Sequence, residues 1–234
     1  LGQTKNGEAS IIIGTHALFQ TQVEYKKLGL VVVDEQHRFG VDQRLSLVNK
    51  SKSLGTVPHQ LIMTATPIPR TLAMTAYGDL DSSILDELPK GRGSIKTIVI
   101  PDDKRDEVIE KIDKETKEGR QAYWVCPLIE ESEELNYEAA ETTFEKLGSQ
   151  LKKKNIGLVH GRLKPETKNQ TMVDFKNNIF QVLVATTVIE VGVDVSNATI
   201  MVIENAERLG LSQLHQLRGR VGRGVHESLC ILIY

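Results

Sequence analysis

The sequence predicts an α/β fold built on parallel sheets, and three observations predict it. Short apolar runs rich in Val and Ile recur along the 234 residues. They are continuous rather than alternating, which is how strands covered on both faces read. Segments of helical spacing lie between many of them, and strand, helix, strand repeated means an open parallel sheet with helices on both sides.

In chain order the strand candidates are SIIIG (10–14), LVVVDE (30–35), LIMTAT (61–66), TIVIP (97–101), AYWVCPLI (122–129), IGLVHG (156–161), VLVATT (182–187), TIMVIE (199–204) and LCILIY (229–234). EAAETTFEKLGSQLKKK and PETKNQTMVDFKNN carry the helical spacing. The Glu-rich stretch 129–141 reads as a solvated loop leading into an exposed helix. A break falls at DELPKGRGSIKT (86–97), where Pro89, Gly91 and Gly93 stand among charges with no apolar periodicity, the composition of a linker. Three runs precede the break and six follow it. The second part therefore reads as a complete doubly wound domain and the first as the back portion of one. The expected division is 1–88, a linker 89–96, and 97–234. The chain opens at Leu1 and closes at Tyr234 inside an apolar run, so both ends read as cut from something longer.

Composition narrows the setting. Forty per cent hydrophobic and 26% charged residues are ordinary for a globular chain. The net charge of −2 gives no global basic signature for nucleic acid, although a local basic groove can bind phosphates on a neutral protein. Cys126 and Cys230 lie far apart in no C-x-x-C, which suggests neither a zinc site nor a disulfide framework. No stretch approaches the roughly 18 apolar residues of a membrane span and no signal peptide opens the chain. A cytoplasmic setting without a membrane fits best.

In open parallel sheets ligands sit at the carboxyl ends of strands, and several runs end there in polar residues: DE, TAT, HGR, ATT and EN. Asp34 and Glu35 follow LVVV directly. A hard dication such as Mg²⁺ takes oxygen ligands and keeps several waters, so one carboxylate suffices to hold it. A second beside it can orient or deprotonate a water attacking a phosphate. Alone, the pair reads as a solvated strand end. Gln36, His37 and Arg38 follow, and no H-E-x-x-H or similar spacing accompanies the histidine.

TATPIPR (64–70) puts Thr66 before Pro67, a capping hydroxyl with proline in the first turn, which is a sufficient structural account of itself. In ATTVIEVGVDV (185–195), Thr186 and Thr187 can hold a phosphodiester, Gly192 permits close backbone approach, and Asp194 can accept a ribose or metal-bound hydroxyl. A helix cap and a turn explain the segment equally well. HQLRGRVGRG (215–224) packs three arginines and three glycines into ten positions. At about 100° per residue, Leu214, Leu217 and Val221 gather on one helical face, and Gln213, Gln216, Arg220 and Arg223 on another. Gly219 and Gly222 stand one turn apart and would leave a bare strip beside the arginines where backbone or ligand could approach. Glycines spent beside paired guanidiniums favour a site that receives phosphate oxygens.

DEQH, TAT, ATTVIEVGVDV and QLRGRVGR, in this order, resemble motifs II, III, V and VI of superfamily 2 helicases. DEQHRFGVDQR, PHQLIMTATPIPRTLAMTAYGDLDSSILDELPKGR, CPLIEESE, GLVHGRLKP and IENAERLGLSQLHQLRGRVGRG more closely resemble the RecG family of bacterial ATP-dependent DNA helicases, over nearly the whole chain. The transcription-repair coupling factors share TATPIPRTL and the arginine motif, but DEQH and DELPKGR look more like RecG.

The resemblance implies two RecA-like lobes, the first partial and the second nearly complete. It implies a monomeric motor that hydrolyses ATP with Mg²⁺ and remodels branched double-stranded DNA, stalled forks and Holliday junctions, in repair and recombination. By motif, Asp34 would hold Mg²⁺ and Glu35 would activate the attacking water. Gln216, Arg220 and Arg223 would face the ATP, the two arginines as fingers, with Gly192 and Asp194 near the nucleotide. Thr64 and Thr66 would couple hydrolysis to lobe movement. Thr15, Arg162, Thr186 and Thr187 would meet the DNA backbone.

The departures matter equally. No G-x-x-x-x-G-K-[ST] occurs, and GRGSIKT (91–97) has Ile95 where the second glycine belongs. The phosphate cradle, the amino-terminal wedge domain and the segment after motif VI are therefore expected to be missing, and the chain alone to bind ATP weakly and neither hydrolyse it nor unwind DNA. A non-catalytic nucleic-acid-binding module descended from a helicase is the alternative, against which Glu35, Arg220 and Arg223 speak. An unrelated α/β hydrolase or dehydrogenase would need a G-x-S-x-G or G-x-G-x-x-G, and neither is present.

Overall fold

The computed structural model describes residues 2–35, 57–64, 81–87, 92–127, 133–151, 155–186 and 194–234. The chain divides into two compact units, Leu1–Asp79 and Leu80–Tyr234. The sequence reading set the border after residue 88, whereas compactness sets it at Asp79.

In the first unit a short helix α1 (Gly2–Asn6) is followed by Gly7 at φ 74°, the left-handed residue that commonly ends a helix. Strands β1 (Leu30–Val33) and β2 (His59–Ile62) pair in parallel, Leu30 opposite His59 through Val33 opposite Ile62. Val23 and Val33 are buried, while Leu30, Val32 and Leu61 are at least half exposed. The run SIIIG, expected as a strand, is irregular, and Ile11 and Ile13 are exposed. Apolar content alone supplied that expectation, and no paired neighbour holds the run among the described residues.

The second unit is a six-stranded, wholly parallel sheet in the order β3-β8-β7-β4-β6-β5. Its strands are β3 (Ile95–Ile100), β4 (Gln121–Val125), β5 (Ile156–Val159), β6 (Val182–Ala185), β7 (Ala198–Ile203) and β8 (Ser228–Ile233). Strand β3 starts at Ile95 and takes in the last two residues of the stretch 89–96 read as linker. Every residue of β4, β6 and β7 is buried, which is why these strands read as continuous apolar runs.

Alternate residues of β4 feed opposite cores. Ala122 and Trp124 pack with Val108, Ile109 and Ile112 of α2 (Arg105–Lys117) and with Ala140 and Leu147 of α3 (Glu133–Gln150). Tyr123 and Val125 pack with Phe175 of α4 (Pro165–Lys176) and Leu217 of α5 (Leu211–Arg218). Helix α2 carries Asp106 and Glu107 in its first turn and Lys114 and Lys117 in its last, complementing its dipole. Helix α3 begins at Glu133 and buries Tyr137, Ala140, Thr143 and Leu147. The Glu-rich stretch is therefore partly helical, and that helix has a core face rather than full exposure.

Candidate functional site

The first unit brings Asp34 and Glu35 to the carboxyl end of β1, as the LVVVDE run requires. The Glu35 N–H donates to Asp34 Oδ1 at 2.9 Å, closing a tight local turn. Glu35 sits at φ 52°, a left-handed conformation that costs a residue with a Cβ of order 1–3 kcal/mol and clusters at functional sites. No sequence signal announced that strain. Asp34 is exposed and Glu35 half-buried, so two hard oxygen donors stand at a strand tip, a donor set that fits Mg²⁺ and its waters. Thr64 follows β2 and is exposed. Thr15 precedes the short helical turn His16–Phe19, is exposed, and makes no side-chain cap. Gln36, His37, Arg38, Thr66, Thr187 and Gly192 lie outside the described residues.

In the second unit the arginine motif departs from the helical expectation. Helix α5 stops at Arg218, with Gly219 as its cap residue, so Arg220 and Arg223 lie on the turn beyond it. Only Gln213 and Gln216 of the expected polar face are helical. The apolar side holds: Leu217 and Val221 are buried and Leu214 packs against the same core. Helix propensity loses here because glycine disfavours continuation. The strip beside Gly222 is approached by neighbouring chain, one of the two approaches its glycines were expected to allow. Gly222 has φ 73°, and a Cβ there would lie 2.6 Å from Ile95 Cγ1; one on Gly224 would lie 2.6 Å from the Ser196 carbonyl oxygen. These glycines admit neighbouring chain rather than leaving space open.

What the turn assembles is a charged cluster. Arg223 donates from Nε to the Gly219 carbonyl at 3.2 Å, and its Nη1 lies 3.6 Å from Asp194 Oδ1. Behind them stands the fully buried Tyr123. Burial pushes its hydroxyl up to about 12, against the pull of the Arg220 and Arg223 charges and with the help of Asp194. Tyr123 was hidden from sequence reasoning inside an apolar run. Asp194 and Arg223 come from two separate motifs, so the fold brings together what the sequence could only name side by side.

The cluster lies at the amino ends of strands. Residues 194–197 lead into β7 and 219–227 into β8. Arg162 and Thr186 follow β5 and β6 at the opposite, carboxyl edge. The arginines thus stand at the edge opposite to the carboxyl ends where the sequence reading sought the site. At the carboxyl edge Arg162 is exposed and its Cζ lies 4.9 Å from the Tyr137 ring centroid, a cation–π contact. His160 is buried against Tyr137, with ring centroids 5.3 Å apart, and its Nε2 is 3.7 Å from Glu141 Oε1. Thr186 is fully buried and its Oγ1 has no hydrogen-bond partner among the described residues. The run VLVATT stays inside the core through its first threonine.

Residues 103–225 match the helicase conserved C-terminal domain, and residues 2–75 match the DEAD/DEAH box helicases. The chain belongs to the helicases. Among helicases it is of the RecG type. It is 60% identical over 230 residues to the ATP-dependent DNA helicase RecG of Escherichia coli strain K12, covering 98% of this chain and 33% of that protein. Identity to RecG of Thermotoga maritima is 51% over 230 residues, covering 98% and 29%. A solved structure of RecG bound to a three-way DNA junction superposes with a TM-score of 0.70 at 46% identity, covering 99% of this chain and 29% of that one. The chain thus spans about a third of the length of the curated relatives it matches. The RecA-like helicase fold expected from the motifs is the fold observed.

Proposed function

We propose that this RecG-type chain is the part of an ATP-dependent DNA helicase motor that supplies the metal-holding and water-activating carboxylates and the phosphate-facing arginines. The observation that carries the reading is the pairing of Asp194 with Arg223, beside Arg220, on a glycine-shaped turn. Paired guanidiniums with a fixed carboxylate neighbour suit a polyphosphate whose charge grows in the transition state.

Asp34 would hold Mg²⁺ through an oxygen and its waters. Mg²⁺ supplies, when bound, neutralisation of phosphate charge. Glu35 orients the attacking water and accepts its proton. Arg220 and Arg223 donate to phosphate oxygens as charge accumulates, and Gln216 on α5 completes that face. Gly192 and Asp194 border the nucleotide, and Thr64 and Thr66 relay hydrolysis to movement. Thr15, Arg162, Thr186 and Thr187 are the DNA-backbone contacts of the proposal. The opposite placement of Arg162 and the arginine turn along the second sheet supports separate nucleotide and DNA faces on that unit.

The proposal extends to branched double-stranded DNA as partner, to repair and recombination, and to a cytoplasmic monomer. Likeness to a RecG solved on a three-way DNA junction supports the branched partner. Functionally the proposal divides the chain into a first-lobe portion 1–88, a linker 89–96, and a second lobe 97–234. The transcription-repair-coupling type of translocase is the second reading within the superfamily, on the shared TATPIPRTL segment.

Calorimetry of Mg-ATP with this chain, with and without forked DNA, tests it. The sequence contains no G-x-x-x-x-G-K-[ST] cradle, so the expected result is weak or undetectable binding and no turnover. Joining the chain to the amino-terminal part of Escherichia coli RecG should restore DNA-dependent ATP hydrolysis that Glu35→Gln abolishes. DNA-dependent turnover by the chain alone would overturn the expectation that the cradle is missing, and an inactive fusion would leave the non-catalytic module as the better account.

A further inference from the structure

We infer that residues 92–95 form a clasp that sets the arginine turn, with Arg92 as a positioning residue for Arg223 and Arg220. The Arg92 guanidinium donates from Nη2 to the Gly219 carbonyl at 3.4 Å, the same oxygen that receives Arg223 Nε at 3.2 Å. Two guanidiniums from distant parts of the sequence therefore converge on one carbonyl at the end of α5. A carbonyl oxygen has two lone pairs and can accept both.

The backbone continues the grip. The Gly93 N–H donates to the Gly224 carbonyl at 2.9 Å, and the Ser228 N–H to the Ser94 carbonyl at 2.9 Å. A Cβ on Gly93 would lie 2.2 Å from the His226 carbonyl oxygen, closer than any side chain allows. Ile95 then fills the space that Gly222 leaves. The turn is thus bracketed at Gly219, Gly222, Gly224 and Ser228 by four consecutive residues of one segment. Arg92 lies in the DELPKGRG stretch, whose composition alone read as a linker, and it is half-buried rather than solvated. Because this stretch is the covalent route from the first unit to β3, displacement of the linker would act directly on Gly219 and on Arg223, which it holds, and through the turn on the adjacent Arg220.

The role assigned to Arg92 rests on the proposed function only in what the arginines do; the clasp itself is independent of nucleotide. The test is therefore made on the 234-residue chain without ATP, by NMR of the arginine Nε–H groups, with Arg223 identified by its loss in Arg223→Lys. Arg92→Ala should speed solvent exchange of the Arg223 Nε–H by roughly tenfold, as local opening becomes easier, and shift the Gly222 and Gly224 amides. The Trp124 indole signal should stay where it is. Arg92→Lys, which retains a charged donor, should recover much of the protection. Gly93→Ala should produce the same loosening or a local unfolding of the turn. Arg223 exchange in Arg92→Ala that stays close to that of the parent chain would overturn the clasp. Failure of the ATP reading would appear instead as an inactive fusion with the amino-terminal part of Escherichia coli RecG, with these spectra unchanged.

Discussion

The carboxylate of Asp194 and the guanidinium of Arg223 stand 3.6 Å apart, although they belong to separate motifs of the sequence. Asp194 side-chain exposure is 65% and that of Arg223 is 32%, so the attraction is weak as a source of stability. Its value lies in orientation. With one edge on Asp194 and Nε on the Gly219 carbonyl, Arg223 is restricted in the chain alone, and for the proposed phosphate-facing role preorganised donors gain most where charge develops.

Arg223→Ala should therefore depress turnover far more than ATP affinity. In the fusion with the amino-terminal part of Escherichia coli RecG, kcat should fall on the order of 10³-fold with KM for ATP within a few-fold, the pattern of a group that acts on the transition state. Equal losses in kcat/KM and in affinity would instead mark Arg223 as a ground-state binding group.

His160 gives the fold a pH dependence of definite sign. Burial lowers its pKa below the ordinary 6.5, the neighbouring Glu141 opposes that, and the Lys168 and Arg162 charges reinforce it. The folded chain then holds fewer protons than the unfolded chain below about pH 6.5, and stability present above that pH is lost as pH falls through the folded value. Thermal melts between about pH 7.5 and 5 should show a falling Tm, and His160→Gln should flatten the slope. An unchanged slope in the variant would remove His160 as the cause.

How much of this was legible in the sequence depends on the kind of interaction. Buried parallel strands announce themselves, and runs such as VLVATT and TIMVIE became β6 and β7 because both faces of those strands are covered. SIIIG had the same apolar content and became irregular chain, since periodicity does not reveal pairing. The end of α5 at Arg218 was only half legible: glycine disfavours helix, yet the wheel carried the helix through Arg223. Arg92, Tyr123 and the left-handed Glu35 were invisible because each depends on a tertiary neighbour or a backbone angle. Arg105 and Glu204 belong to the same class, joining the start of α2 to the end of β7.

The two cysteines should behave as inert core groups. Burial raises both thiols, Cys230 to about 12 and Cys126 further still with the Glu204 charge beside it. At about pH 8 the reactive thiolate of Cys230 is then roughly 10⁻⁴ of the total, against a substantial share for a free cysteine. Iodoacetamide should leave the folded chain unmodified over a period in which both cysteines of the urea-unfolded chain react. Rapid labelling of Cys126 in the folded chain would mean that the end of β4 opens readily.

The ion pair of Arg105 with Glu204 offers the strongest stability prediction. Its Nη2–Oε1 distance is 2.5 Å, and the side chains are 24% and 14% exposed. Arg105 Cζ also lies 5.4 Å from the ring centroid of Trp124, which is fully buried. Arg105→Ala strands the Glu204 carboxylate in a poorly solvated place and should cost about 2 kcal/mol, below the roughly 3–5 of a fully buried pair because water still reaches both partners. Replacing both with apolar residues, Arg105→Met with Glu204→Leu, should recover most of that loss, since the desolvation cost of both charges disappears together. Trp124 is the chain's single tryptophan, so urea titration followed by its emission reads the second unit directly. Arg105→Ala should lower the midpoint without changing the slope, and should also alter native emission through the lost contact over the ring. A double variant as unstable as the single one would show that packing around Trp124, and not the stranded charge, sets the cost.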